Sequence, residues 1–307
     1  MGMDLSGQVA LVAGATRGAG RAVAVELARA GAFVYATGRS SRAFGPSDMD
    51  RPETIEETAD LVASVGGQCC ALRVDHLDVG AVRTLVEQIR SEQGRLDVLV
   101  NDIFGGDRYA EWQTPLWAHD LEGGLRMLRM GVETHIITAA VALPLMLETG
   151  DGLLVEMTDG TSEANAGDRP GVGFYYDFVK AGVDRLVRNF ARDLRDTSVA
   201  AVGVTPGWLR SERMLEGFGV TEETWREFCR KEPSFGISES PTYVARGVSA
   251  LAADPDRTRF AGRVVTARQL ADAYDVTDDD GSRPDCWGLI ADHGWSEEDP
   301  DVIARYR

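Results

Sequence analysis

The sequence lacks any uninterrupted apolar run long enough to cross a bilayer, and its first residues show no basic stretch followed by an apolar segment. Those two features mark membrane spans and secretory signals. We therefore expect a cytoplasmic protein that does not associate with a membrane.

An excess of positive charge is also missing, because 32 Lys and Arg stand against 49 Asp and Glu, for a formal net charge of −17. A polyanion would be repelled by such a surface, which argues against a nucleic-acid partner. The four cysteines and four histidines are scattered, without the spacing of a zinc site or a disulfide framework. We therefore predict no bound metal.

What is present is a regular alternation of short apolar runs with longer helical patterns. The strand-like runs are residues 9–13, 33–37, 69–74, 96–100, 153–157, 199–204 and 264–266, and the helical patterns are residues 18–30, 53–65, 79–93, 121–147, 175–196 and 241–252. Strands joined by helices of that length form parallel sheets covered on both faces. The pattern predicts an α/β protein with one doubly wound domain and a parallel sheet of about seven strands.

Four stretches lie outside this alternation. Residues 40–52, 105–120 and 208–240 form long connections after strands, where loops surround the ligand crevice of such sheets. We expect residues 208–240 to form a substrate loop within a catalytic domain of residues 1–267. The remaining residues, 268–307, are predicted to be a C-terminal extension rather than a separate domain, either solvated or used as an oligomer arm.

A glycine-rich loop connects the first strand to the first helix and reads Gly14-Ala15-Thr16-Arg17-Gly18-Ala19-Gly20. Glycines allow a sharp turn and close approach of a pyrophosphate, whose charge is attracted by free amides at a helix start. The spacing differs from the commoner Gly-x-Gly-x2-Gly pattern. Its position between strand and helix nevertheless predicts a dinucleotide-binding loop.

The end of the second strand indicates which dinucleotide binds. An acid there favours the free ribose 2′-hydroxyl, whereas an arginine favours a 2′-phosphate. The chain has no carboxylate at this point; Arg39 follows the strand and Arg17 lies in the glycine loop. Guanidinium groups offer paired donors to phosphate, so we predict NADP(H).

Together these residues resemble the short-chain dehydrogenase/reductase superfamily, over roughly residues 5 to 266. The resemblance is carried by the glycine loop, Asp75 after the third strand, Asn101 after the fourth, Tyr176-x3-Lys180, and Pro206-Gly207 followed by Ser211. It implies a Rossmann-type domain in which Asp75, with His76 beside it, meets the adenine and Asn101 supports the cofactor side of the sheet. It also implies that Ser211 touches the phosphate or carboxamide region of the cofactor.

Tyr176 and Lys180 are the expected chemical centre. Residues four apart lie on one face of a helix, which Tyr175 does not share with Lys180. A phenol titrates near pH 10, and a neighbouring ammonium favours its anion. The resemblance implies that Lys180 also holds the nicotinamide ribose, and that Tyr176 exchanges a proton with the substrate oxygen as hydride moves.

The sequence departs from the family where a serine usually hydrogen-bonds the substrate carbonyl. That position falls on Asp159, with Thr158 before it and Thr161 shortly after. An ionised carboxylate only accepts hydrogen bonds and opposes negative charge on oxygen. Either a threonine takes the role, or Asp159 is protonated, or the substrate is unusual, for example a cationic iminium.

A second departure concerns the asparagine that orders a relay water in many family members. The corresponding residue is Gly131, and His135 one turn later is a weaker candidate for a water chain. The sequence thus predicts an NADP(H)-dependent oxidoreductase acting on a small carbonyl or alcohol. Reduction of C=N and a non-catalytic NADPH sensor are the alternatives. We also expect a homo-oligomer, a dimer or tetramer, assembled through the helices that contain Leu121 and Tyr175.

Overall fold

A single parallel sheet forms the centre of the protein, shown here by a computed structural model that describes residues 3–307. The strands are β1 (Val9–Ala13), β2 (Phe33–Gly38), β3 (Gln68–Arg73), β4 (Val98–Asn101), β5 (Gly152–Met157), β6 (Val199–Thr205) and β7 (Val264–Thr266). Their order is β3-β2-β1-β4-β5-β6-β7, and every neighbouring pair is parallel. The predicted Rossmann-type α/β fold is confirmed.

Helices cover both faces of the sheet. They are α1 (Gly18–Arg29), α2 (Ile55–Ser64), α3 (Val79–Gln93), α4 (Leu121–Leu128), α5 (Thr134–Thr149), α6 (Ser162–Ala166), α7 (Phe174–Leu194), α8 (Glu212–Phe218), α9 (Pro241–Ala253), α10 (Ala267–Tyr274), α11 (Cys286–His293) and α12 (Pro300–Ile303). Alternate residues of β1 enter opposite cores: Ala10 and Val12 face α1 and α9, while Val9 and Leu11 face α3 and α5. Burial on both faces explains the continuous apolar runs.

The register of the strands brings their carboxyl ends to one edge. Ala13 at the end of β1 pairs with Thr37 of β2 and with Asn101 of β4, and Asn101 pairs with Glu156 of β5. The loops that follow these strands therefore meet in one crevice.

The pattern over residues 121–147 predicts one helix, and the structure inserts a π-helical turn, Arg129–Glu133, between α4 and α5. This continuous helix, Leu121–Thr149, is long and apolar enough to cross a membrane, but half of its most apolar window is buried within the domain. It contacts α3, α7, β4 and β5, as a core helix does.

The C-terminal segment packs on the domain through its helices, so the alternative of a wholly solvated extension is wrong. Helix α10 packs against α9, and α11 and α12 contribute Cys286, Leu289 and Ile303 to a small apolar core with Ile237. Asp278, which opens the acidic run, is buried and accepts hydrogen bonds from the Ser240 amide and hydroxyl. Burial of these apolar side chains fixes the segment on the domain.

Candidate active site

A cavity of about 580 Å³ lies at the carboxyl edge of the sheet. Its walls include most of the residues that the sequence singled out: Gly14, Thr16, Arg17, Gly18, Arg39, Asp75, His76, Thr158, Asp159, Tyr176, Lys180, Pro206, Gly207 and Ser211. Gly20 and Asn101 do not line the cavity. The structure thus brings the glycine loop and the Tyr176–Lys180 pair to one cavity.

Local geometry requires glycine at each of the three glycine positions of the loop. Gly14 and Gly18 have φ of 91° and 57°, in the region that favours glycine. A Cβ on Gly14 would lie 2.3 Å from the carbonyl oxygen of Asp102, and one on Gly20 would lie 2.5 Å from that of Gly14. Gly20 therefore allows α1 to begin close to the loop.

The amide at the start of α1 already binds an anion in this structure. The Gly18 N–H donates to a Glu212 carboxylate oxygen at 2.9 Å, and Arg21 lies 3.6 Å from the other carboxylate oxygen. The start of α1 therefore presents a backbone N–H donor to a negatively charged group.

The two arginines expected at a 2′-phosphate both reach the cavity. Arg39 forms an ion pair with Asp48 at 2.6 Å, and Arg17 lies 3.5 Å from Glu53. Burial lowers the pKa of Arg17, partly offset by Glu53. Both guanidinium groups are thus held by acidic side chains of the loop after β2.

His76 follows β3 and lies between two hydroxyls. Its Nε2 is 2.8 Å from the Thr37 hydroxyl and its Nδ1 is 2.8 Å from the Thr138 hydroxyl. Burial lowers the pKa of His76 to about 4, so the ring is neutral at pH 7. Asp75 beside it accepts a hydrogen bond from the Leu77 amide at 3.0 Å.

Asn101 belongs to a buried network that supports the cavity from behind. Its side-chain amide donates to Glu156 at 2.8 Å, and the other oxygen of Glu156 lies 2.5 Å from Nδ1 of His135. Nε2 of His135 donates to the Ile103 carbonyl at 3.0 Å. Both ring nitrogens of His135 are therefore engaged by protein groups, which opposes the hypothesis that it orders a water chain.

Gly131 is a glycine because α7 approaches closely. A Cβ on Gly131 would lie 2.4 Å from Cγ1 of Val179 and 3.2 Å from the Phe104 ring. An asparagine, common at this position in the family, would not fit without movement of α7. The π turn that contains Gly131 lies beside the cavity, as such turns frequently do at functional sites.

Tyr176 and Lys180 occupy the cavity face of α7, while Tyr175 is buried with Met127 and Val179. The Lys180 ammonium lies 5.4 Å from the centre of the Tyr176 ring and 3.9 Å from that of Phe104. Burial lowers the pKa of Lys180. Burial, and then the nearby Asp159 carboxylate, hold the pKa of Tyr176 well above its usual value, so the phenol is protonated at neutral pH.

Neither threonine is placed for the role of the missing serine. The Thr158 hydroxyl donates its proton to the Lys180 carbonyl at 3.0 Å. Thr161, whose hydroxyl caps α6 by accepting from the Ala164 amide at 3.1 Å, does not line the cavity. The expectation that Thr158 acts as a catalytic hydroxyl is therefore corrected: its hydroxyl ties the end of β5 to α7.

Asp159 is paired with an arginine that the sequence analysis missed. Arg169, whose side chain is only 4% exposed, reaches Oδ2 of Asp159 at 2.9 Å, and the Tyr176 hydroxyl donates to the same oxygen at 3.0 Å. Arg169 also lies over the Trp295 ring at 5.5 Å. Because Asp159 already has a cationic partner, the structure removes the main reason to expect a cationic iminium substrate.

Further cavity residues also escaped the sequence analysis. Burial raises the pKa of Asp102, which follows Asn101, to about 6, although the Lys180 ammonium opposes this shift. Trp287 and Trp295 of the C-terminal segment line the outer cavity, where the Trp287 indole N–H donates to the Pro206 carbonyl at 2.8 Å. Asp102 could have been identified from the sequence, because it lies next to a predicted strand end.

Comparisons with known proteins agree with this geometry. Residues 8–217 match the family model described as short chain dehydrogenase. The chain is 33% identical over 287 residues to dehydrogenase/reductase SDR family member 1 of Mus musculus, covering 90% of this chain and 85% of the mouse protein. It is 27% identical over 250 residues to 7alpha-hydroxysteroid dehydrogenase of Clostridium sardiniense, covering 81% and 88%. A solved short-chain type dehydrogenase/reductase from Mycobacterium marinum shares the fold, with a TM-score of 0.69, 24% identity, and coverage of 86% of this chain and 95% of that one. The chain therefore belongs to the short-chain dehydrogenase family of oxidoreductases.

Proposed function

We propose that the protein is an NADP(H)-dependent oxidoreductase that interconverts a carbonyl and an alcohol on a small molecule, with Tyr176 as proton donor and acceptor. The observation that carries the proposal is the placement of the Tyr176 phenol and the Lys180 ammonium in the cavity that the glycine loop borders. The name of the hydroxysteroid dehydrogenase relative supports alcohol and carbonyl chemistry in general.

The residues present fit a nicotinamide dinucleotide. Gly14 and Gly18 have the positive φ that lets the loop turn sharply into α1, whose first amide would exchange Glu212 for the pyrophosphate, and Arg39 and Arg17 are suited to a 2′-phosphate. Lys180 is the proposed partner of the nicotinamide ribose. When bound, the nicotinamide supplies or accepts the hydride.

The surroundings of Tyr176 suit a proton donor. Its hydroxyl is 3.0 Å from Asp159, and both burial and that carboxylate raise the pKa of the phenol. A phenol that keeps its proton favours reduction of a carbonyl, where the substrate oxygen gains a proton. Lys180 stabilises the phenolate left behind. Arg169 neutralises Asp159, so the carboxylate repels the developing oxyanion less than an unpaired acid would.

Apolar walls indicate the character of the substrate. Trp112, Trp208, Trp287 and Ile290 line the outer cavity. Cavities with apolar walls and few polar anchors bind apolar molecules that carry one reacting polar group. We propose a small or medium-sized apolar ketone or aldehyde.

The test is incubation of purified protein and NADPH with a panel of ketones, aldehydes and imines, followed by absorbance of the reduced cofactor. Tyr176→Phe should lose turnover and keep NADPH binding, whereas the matched control Tyr175→Phe should keep both. Undiminished turnover in Tyr176→Phe would refute the proposed proton donor. NADPH binding by the native protein without turnover of any compound would instead favour a sensor.

We also propose that the protein assembles into a homo-oligomer through α4, α5 and α7. These helices expose apolar side chains to solvent, namely Leu121, Leu125, Ile136, Phe174 and Phe178. Light scattering should give a mass above 33.2 kDa, the mass of one chain. Phe178→Glu should lower that mass, and a monomeric native protein would contradict the proposal.

A further inference from the structure

The loop between β2 and α2 places a carboxylate against Arg39. One oxygen of Asp48 lies 2.6 Å from the Arg39 guanidinium, and the other lies 3.2 Å from that of Arg126. Although burial opposes it, ion pairing with Arg39 keeps the pKa of Asp48 below its usual value. Asp48 is therefore an anion held between two guanidinium groups.

This ion pair lies at the border of the cavity. Arg39 lines the cavity, as do Ser47 and Met49 on either side of Asp48. The Arg39 side chain extends from the end of β2 toward the loop after β4, where a Cβ on Gly105 would lie 2.7 Å from Nη2 of Arg39. The guanidinium thus lies between two strand ends, at the end of the cavity where the proposed function places the adenosine.

We propose that Asp48 is a cofactor-specificity residue, which occupies on Arg39 the position that the 2′-phosphate of NADP(H) would take. The inference rests on the proposed function, because it assumes that a nicotinamide dinucleotide binds in this cavity. A 2′-phosphate that approaches Arg39 must displace Asp48 or bind beside its negative charge. NADH carries no such group, so Asp48 opposes NADPH binding selectively.

Displacement of Asp48 would free a second guanidinium group to bind the phosphate. Arg126 loses its carboxylate partner together with Arg39, so both guanidinium groups can then face one phosphate. Arg39 has 17% of its side chain exposed and Asp48 has 29%, so the ion pair can be replaced from the cavity without unfolding the sheet.

The test is the dissociation constants of NADPH and NADH, measured by quenching of tryptophan fluorescence in the native protein and in Asp48→Asn. Loss of a partly exposed carboxylate should tighten NADPH binding roughly two- to fivefold and leave NADH binding unchanged. Asp60→Asn is the matched control, since Asp60 pairs with the exposed Arg42 away from the cavity and should alter neither constant. In an Arg39→Gln background, the Asp48→Asn change should affect NADPH binding less, because only Arg126 is then released from the carboxylate.

Two results would overturn the inference. Unchanged NADPH affinity in Asp48→Asn would show that the carboxylate does not compete with the 2′-phosphate. Weaker NADH binding would show that Asp48 accepts hydrogen bonds from the ribose hydroxyls instead. Asp48→Ser, with melting temperatures for both variants, separates either result from a folding defect. If the native protein binds neither dinucleotide, the proposed function itself fails, and that outcome is distinct from both.

Discussion

Gly131→Ala tests whether close packing of the π turn against α7 explains the absence of the family's asparagine. The new Cβ would lie 2.4 Å from Cγ1 of Val179, a buried side chain, and 3.2 Å from the Phe104 ring. The first distance is shorter than non-bonded carbon atoms tolerate, so α7 or the turn must move. Overpacking of this kind lowers the free energy of unfolding by about 1–3 kcal/mol.

A double-mutant cycle with Val179 isolates this contact. Val179→Ala alone should destabilise the protein by about 2 kcal/mol, because two buried methyl groups are removed. In the double variant, the space vacated by Val179 receives the new methyl group of residue 131. The combined loss should therefore be smaller than the sum of the single losses, by about 1 kcal/mol or more.

The measurement is urea-induced unfolding of the native protein, both single variants and the double variant. Gly217→Ala in α8 is the matched control, because a Cβ there meets nothing within 4 Å. That helix position should gain about 0.5–1 kcal/mol from the better helix former. Strictly additive losses for Gly131 and Val179, or no loss in Gly131→Ala, would refute the steric explanation.

Asp159→Asn removes a carboxylate that raises the pKa of Tyr176. Under the proposed function, alcohol oxidation should therefore begin at lower pH in this variant; kcat/KM against pH measures this, and an unmoved profile contradicts it. The folded-state pKa of His76 is about 4 against an unfolded value of 6.5, so stability should fall as pH drops through that interval, by up to about 3 kcal/mol. In His76→Asn, the free energy of unfolding should differ less between pH 7 and pH 5, as measured by urea unfolding. An equal difference in the variant and the native protein would count against this prediction. Trp287→Phe loses the hydrogen bond to Pro206 and should raise KM for an apolar carbonyl roughly two- to tenfold at similar kcat, whereas an unchanged KM would exclude Trp287 from substrate binding.

The fold could be predicted because its signals are local. The inner strands of a covered parallel sheet are buried on both faces, so residues such as 9–13 and 199–204 appear as continuous apolar runs bounded by turns. The glycine loop and the Tyr176–Lys180 spacing are local as well, since they depend on one turn and on one helix face. Arg39 could be identified because it directly follows a strand end.

The missed features depend on contacts between segments distant in sequence. Trp287 reaches Pro206 across 81 positions, and nothing in the periodicity of residues 268–307 indicates that they return to the cavity. Gly131 shows the same limit, because its need for space arises from Val179 on another helix. Composition alone made the acidic C-terminal segment look solvated, although the apolar side chains spread through it contribute to a small core.

Asp159 and Arg169 illustrate why the meaning of a single substitution depends on its partner. Considered alone, a carboxylate beside the proposed proton donor is an obstacle to carbonyl reduction, since it repels the negative charge that develops on the substrate oxygen. Arg169 lies ten positions further on, in the irregular segment between α6 and α7, and its side chain is almost fully buried. A buried guanidinium requires a counter-ion as much as the acid requires a cation, because an unpaired buried charge is strongly unfavourable. The two residues therefore form one unit that is close to neutral in sum, and under the proposed function it is this pair, not the acid by itself, that takes the place of the family's hydroxyl.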